Sequence, residues 1–144
     1  MRVLGIDVGI KRTGLALSDE SGIAIRILPN LLAHSRKAAL EKILSLVHEF
    51  EIGAIVIGCP EKKTTGSIAI ASRAEGLKVA LLAELAKTSP GVTVHLWGEE
   101  MTSKKAMTHL VSAKVPQKKR RAMLDGASAA VLVEEFIYFM GTDT

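Results

Sequence analysis

The sequence predicts an α/β domain whose mixed five-stranded sheet is flanked by helices. Three observations carry that expectation. The 144 residues are 48% hydrophobic and 24% charged, which suits one domain with an ordinary core and no crosslinks. Three short apolar runs joined by turn-rich connectors open the chain. Beyond them, helix-period segments alternate with short apolar runs, the order in which crossovers make strands parallel.

Taken in order, residues 2–8, 13–18 and 23–28 read as strands joined by Gly9-Ile10-Lys11-Arg12 and Asp19-Glu20-Ser21-Gly22, so the sheet begins as two hairpins. From Ser35 to Phe50, Leu40, Ile43, Leu44 and Val47 recur at the spacing of one helix face, and Gly53 is the expected stop. Residues 54–58 form a buried strand. A polar loop, Glu61 to Gly66, leads to a second helix over 67–87 with Ile70, Ala74, Leu77 and Leu81 on one side, stopped by Ser89-Pro90-Gly91. A strand follows over 92–97. Thr102 is the expected N-cap of a short helix carrying Ala106, Met107, Leu110 and Val111 and ended by Pro116. The last helix, over 122–140, is apolar on most faces and should pack hard against the sheet. No repeat, low-complexity tract or linker divides residues 1–144, which are expected to form a single domain.

Composition excludes several function classes. The lone Cys59 forms no internal disulfide, and no Cys/His cluster has zinc-site spacing, which suits a reducing cytoplasm. Asp7 interrupts the first apolar run too early for a signal peptide, and no stretch reaches the length of a membrane span. Aromatic residues are only 3%, leaving Trp97 and Tyr138 as the conspicuous candidates for stacking on bases. The net charge of +4 is concentrated: Lys104, Lys105, Lys114, Lys118, Lys119, Arg120 and Arg121 fall in one acid-free segment, and the rest of the chain sums to −3. Such a run suits a phosphate polyanion, and equally a solvated loop.

Three carboxylates stand where chain architecture does not require them. Asp7 ends an apolar strand expected at the sheet centre, on the rim where open α/β sheets hold ligands; a turn-capping Asp is the plainer reading. Glu99 and Glu100 follow a strand expected to run parallel to the first, although either also suits the start of the Thr102 helix. Asp125 interrupts the apolar run 122–131, where an unpaired carboxylate costs several kcal/mol; it is also a candidate N-cap for a helix starting at Gly126. Three acids on one edge repel one another, and hard divalent cations offset that repulsion. Two ions about 4 Å apart would hold a phosphodiester, activate water and stabilise the departing oxygen.

These pieces occur in the order and close to the spacing of a known family. Leu4-Gly5-Ile6-Asp7-Val8-Gly9 with Lys11-Arg12-Thr13-Gly14-Leu15-Ala16, Ile57-Gly58-Cys59-Pro60, Leu96 to Ser103, and Leu124-Asp125-Gly126-Ala127-Ser128-Ala129-Ala130 resemble the YqgF family, also called RuvX. The resemblance spans nearly the whole chain. It implies a ribonuclease H-like fold and a nuclease regarded as acting on pre-16S rRNA, formerly regarded as a Holliday junction resolvase. Asp7, Glu99 and Asp125 match the family's acids, which implies that they ligate Mg²⁺ or Mn²⁺ and that water is the nucleophile. The family usually has Asp-Glu-Arg where this chain has Gly98-Glu99-Glu100, which removes an auxiliary acid and replaces a substrate-facing arginine by a carboxylate. Cys59 replaces a usual leucine. Related resolvases carry a further acid at the position of Ser128, which favours a three-acid nuclease over a junction resolvase.

Lys11, Arg12, Lys118, Lys119, Arg120 and Arg121 are the expected phosphate-backbone contacts. The implied partner is structured RNA or branched DNA, with the chain a monomer or homodimer. Two other classes compete. Gly5 to Gly9 with Thr13-Gly14 also resembles the first phosphate loop of sugar kinases and actin-like ATPases, which need two such domains to enclose ATP. A non-catalytic RNA-binding factor of ribosome maturation would keep the fold and survive loss of Asp7 or Asp125. The four histidines, His34, His48, His95 and His109, receive no role.

Overall fold

The computed structural model describes residues 1–32, 35–98 and 117–141, with the side chains of 117–125 and 141 excepted. Among the described residues eight elements follow one another: β1 (Arg2–Val8), β2 (Arg12–Ser18), β3 (Ile25–Leu32), α1 (Arg36–Phe50), β4 (Ile52–Cys59), α2 (Thr65–Thr88), β5 (Thr93–Gly98) and α3 (Gln117–Gly141). The sheet order is β3-β2-β1-β4-β5, with β1 at its centre. β1 pairs antiparallel with β2 and parallel with β4, β2 pairs antiparallel with β3, and β4 pairs parallel with β5. The expected mixed sheet is therefore the observed one. The short helix expected after Thr102 lies outside the described residues.

Alternation along β1 divides the core in two. Leu4, Ile6 and Val8 join Ile43, Leu46 and Val47 of α1 and Ala74, Leu77 and Leu81 of α2 on one face. Val3 joins Ala129, Leu132, Val133 and Phe136 of α3 on the other. Successive strand residues point to opposite faces, so Gly5 and Asp7 share the α3 face with Val3. A strand buried on both sides has to be apolar almost throughout, and Arg2 at its start and Asp7 near its end, both half-buried, are the exceptions.

Several boundaries differ from the sequence reading. β3 runs to Leu32 and starts at Ile25, not over 23–28. Its pairing with β2 jumps from Leu15↔Leu28 to Thr13↔Leu31, so Pro29 and Asn30 form a bulge opposite Gly14. β3 is an edge strand, where a proline without an N–H is tolerated. Gly53 does not end α1. Glu51 does, in the left-handed region at φ 51° with its N–H on the Val47 carbonyl, and Gly53 lies within β4. There a Cβ would stand 2.5 Å from Met1 Cγ, so the glycine makes room for the N-terminus.

Side chains set the helix starts. Ser35 Oγ accepts the Ala38 N–H of α1 at 3.0 Å. Thr64 and Ser67 form a reciprocal capping box at α2. α3 begins at Gln117 rather than Ala122, so Lys118 to Arg121 form its first turns and do not precede the helix. Asp125 and Gly126 are then in the helix interior, and the reading of Asp125 as an N-cap is overturned.

His95 illustrates an energetic consequence of the edge strand β5. Burial, with a smaller contribution from Lys78, holds its imidazole below the usual value of 6.5, and its ring lies 4.9 Å from that of Phe136. A proton is therefore taken up more readily by the unfolded chain. The stabilisation from neutral His95 should be complete above pH 6.5 and fade as the pH falls through the lowered folded value. Denaturant titrations between pH 7.5 and 5 should show that loss in the parent and a shallower one in His95→Gln.

Candidate active site

The site is built from the C-terminal ends of the parallel strands. Asp7 sits opposite Gly14 in the β1–β2 ladder. Parallel pairing of Ile6 with Ile57 and of Ile57 with Leu96 aligns the ends of β1, β4 and β5 along one rim. β5 ends at Gly98. Glu99 and Glu100, which follow it in sequence, lie outside the described residues. Asp125 is placed by its backbone alone, in the third turn of α3.

α3 approaches the sheet closely because β1 carries a glycine. A Cβ on Gly5 would lie 2.5 Å from the Ala129 carbonyl oxygen and 2.6 Å from Val133 Cγ2. Gly126 does the same further along, where a Cβ would run into Ile27 of β3. Next to position 125, Ser128 is 1% exposed, and its Oγ is buried without a hydrogen-bond partner. An unpaired buried hydroxyl costs about 1–3 kcal/mol, so Ser128, one turn after position 125, is an unusual group to bury.

The β1–β2 turn is held from across the molecule. Arg73 of α2 donates from Nη1 to the carbonyl oxygens of Ile10 at 2.8 Å and Gly9 at 3.1 Å. The turn leaves Lys11 and Arg12 exposed to solvent beside Asp7. The sequence reading missed Arg73: it is one charged residue in a helical run, and nothing in its spacing announces a partner some sixty residues upstream.

Two further expectations on aromatics separate here. Trp97 donates from Nε1 to Glu135 Oε2 at 3.1 Å and packs edge-on to Phe136 at 5.8 Å, so its ring belongs to the contact with α3 and not to a base-stacking platform. Tyr138 is 67% exposed, near the far end of α3 from Asp125. Of the basic candidates, Lys104, Lys105 and Lys114 fall outside the described residues. Among the described residues no three His, Cys, Asp or Glu side chains gather as a metal site, and no helix is long and apolar enough to cross a membrane.

Comparison with known proteins adds to this geometry. Residues 1–138 match the RuvX family, described as Holliday junction resolvase. The chain belongs to the RuvX family. It is 30% identical over 138 residues to a "Putative pre-16S rRNA nuclease" of Thermoanaerobacter pseudethanolicus, covering 95% of this chain and 96% of that protein. A protein of the same description from Syntrophus aciditrophicus is 33% identical over 137 residues, covering 95% of this chain and 88% of that one. Among solved structures, T. thermophilus RuvC in complex with a Holliday junction substrate aligns with TM-score 0.60 and 22% identity over 99% of this chain and 98% of RuvC. A Fowlpox virus resolvase with Holliday junction DNA aligns with TM-score 0.56 and 11% identity over 97% and 99%. At such identities the likeness establishes the fold, which is ribonuclease H-like.

Proposed function

We propose that this RuvX-family chain is a single-domain nuclease that hydrolyses phosphodiester bonds with Mg²⁺ or Mn²⁺ held by Asp7, Glu99 and Asp125, and that it trims the 5′ end of pre-16S rRNA. The observation that carries the reading is the register of α3 against β1. Val3 packs with Val133 and Phe136, and Gly5 faces Ala129 and Val133. Two residues further along the strand, about 7 Å, comes Asp7; one turn earlier in the helix, about 6 Å, comes position 125. Matching steps in the two elements support a shared end for the two acids, and Glu99 follows directly on the strand that ends at the same rim.

The donor set is all oxygen, the chemistry that Mg²⁺ and Mn²⁺ prefer, and an unsatisfied hydroxyl, Ser128 Oγ, lies one helical turn from position 125. When bound, a pair of such ions supplies an activated water and neutralises charge on the departing oxygen. The chain's own residues do the rest. Lys11 and Arg12 meet the phosphate backbone beside Asp7. Lys118, Lys119, Arg120 and Arg121 stand in the first turns of α3, where no acid accompanies them. Cations oppose the helix dipole there, and a bound polyanion removes that penalty. A cytoplasmic location follows from the proposed substrate.

Purified protein with Mn²⁺ should cleave a 16S precursor faster than a four-way DNA junction offered in parallel. Preference for the junction would move the assignment to a resolvase, the function named by the family description. Cleavage of neither with retained binding would leave a non-catalytic RNA-binding factor.

Gly98 gives a further test. A Cβ there meets nothing within 4 Å, so Gly98→Asp, which restores the family's usual acid, should fold as well as the parent. Its expected result is several-fold tighter Mn²⁺ binding by calorimetry; unchanged affinity would place residue 98 outside the metal shell.

A further inference from the structure

Behind the β1–β2 turn, on the opposite face of β1 from Asp7, lies a cavity of about 230 Å³ bounded by Val8, Thr13, Ile43 and Leu77 and by two arginines, Arg36 and Arg73. We propose that this cavity is a phosphate subsite that holds a backbone phosphate of the substrate strand away from the scissile bond; it rests on the nuclease reading for its ligand but not for its chemistry.

Four observations converge on an anion. Arg36 lies against the backbone of α2 at Gly76, where a Cβ would come within 2.5 Å of its Nη2 and 3.0 Å of its Cζ. The glycine is therefore a cradle for the guanidinium. No carboxylate pairs with Arg36 or Arg73 among the described residues, and Glu75, next to Gly76, is engaged by Lys62 at 2.9 Å. The cavity lies at the start of α1, whose first turn carries no acid and whose leading N–H groups and dipole favour negative charge. Thr13, only 5% exposed, lines the same space. Two arginines, a helix start and a threonine around a small cavity suit a phosphoryl group.

The location makes the strand the source. Arg73 reaches from this cavity to the carbonyls of Gly9 and Ile10, in the turn that presents Lys11 and Arg12. A strand lying over that turn passes from the acid-bearing face of β1 to the cavity. A phosphate bound there sets the register of the strand relative to Asp7 without carrying sequence information.

Two variants test the subsite by binding alone, on the Asp7→Asn background and without metal, so that failure of cleavage does not enter. Arg36→Gln removes one cation. Gly76→Ala keeps every charge, favours the helix, and displaces the Arg36 guanidinium from its cradle. Both should weaken binding of a short single-stranded RNA about 3–10-fold, and each should lower the slope of log affinity against log salt by about 0.7, one phosphate contact. Inorganic phosphate, titrated by NMR against the parent, should shift the resonances of Thr13 and Arg36. Weakening by Arg36→Gln with Gly76→Ala unchanged would mean bulk charge and overturn the site. Phosphate shifts with unaltered RNA affinity in both variants would overturn the strand as its ligand.

Discussion

Asp7→Asn protein should bind precursor RNA with near-parental affinity and cleave it at least about 1,000-fold more slowly in saturating Mn²⁺. The substitution keeps the shape and removes the charge that the proposed cation site uses. Electrostatic stabilisation by bound cations is worth several kcal/mol at the transition state, and each 1.36 kcal/mol is tenfold in rate. Affinity is expected to persist because the proposed phosphate contacts, Lys11, Arg12 and the basic start of α3, are untouched, and the lost negative charge should strengthen it slightly. Asp7 lies one residue before the end of β1, where pairing is backbone to backbone, so the fold should hold, with circular dichroism as the control. Parent-like cleavage by the variant would sink the hydrolytic mechanism, whereas cleavage and binding lost together would make Asp7 structural.

The second large effect is on stability. Gly5→Ala should destabilise the chain by about 2–3 kcal/mol, the upper range for overpacking a well-filled core, lowering the melting temperature by roughly 10 °C for a chain of this size. The added methyl meets the Ala129 carbonyl oxygen at 2.5 Å and Val133 Cγ2 at 2.6 Å. The first belongs to helix backbone and yields only if α3 moves as a body. Val133→Ala in the same chain should therefore recover part of the loss and not all of it. Gly91→Ala, where nothing lies within 4 Å, should change little. Because α3 carries Asp125, Gly5→Ala should also cost cleavage rate more than its stability loss explains, measured at a temperature where the variant is fully folded. Parent-like stability would mean that the helix does not seat against Gly5.

How much of this was legible in the sequence follows from which forces are local. Strand and helix order came from periodicity, because a residue's burial repeats with its own element's geometry. The start of α3 was misjudged by about five residues, since a run of lysines and arginines carries no apolar period even where it is helical. Gly53 was misread because its signal for a helix stop and its signal for close packing against Met1 are the same missing side chain. The third strand was read as ending at residue 28, whereas it continues through Pro29, which an edge position and a bulge absorb.

The mixed sheet and the family were readable from the residues alone, as were the acids now proposed as ligands, since these rest on patterns and motifs contiguous in the chain. Three contacts emerged only in space: Gly5 admits the backbone of α3, Arg73 fastens a turn from another element, and Arg36 lies in the cradle of Gly76. Those are contacts between residues tens of positions apart. Their energies depend on steric fit and hydrogen-bond geometry in space, which no spacing along a chain encodes.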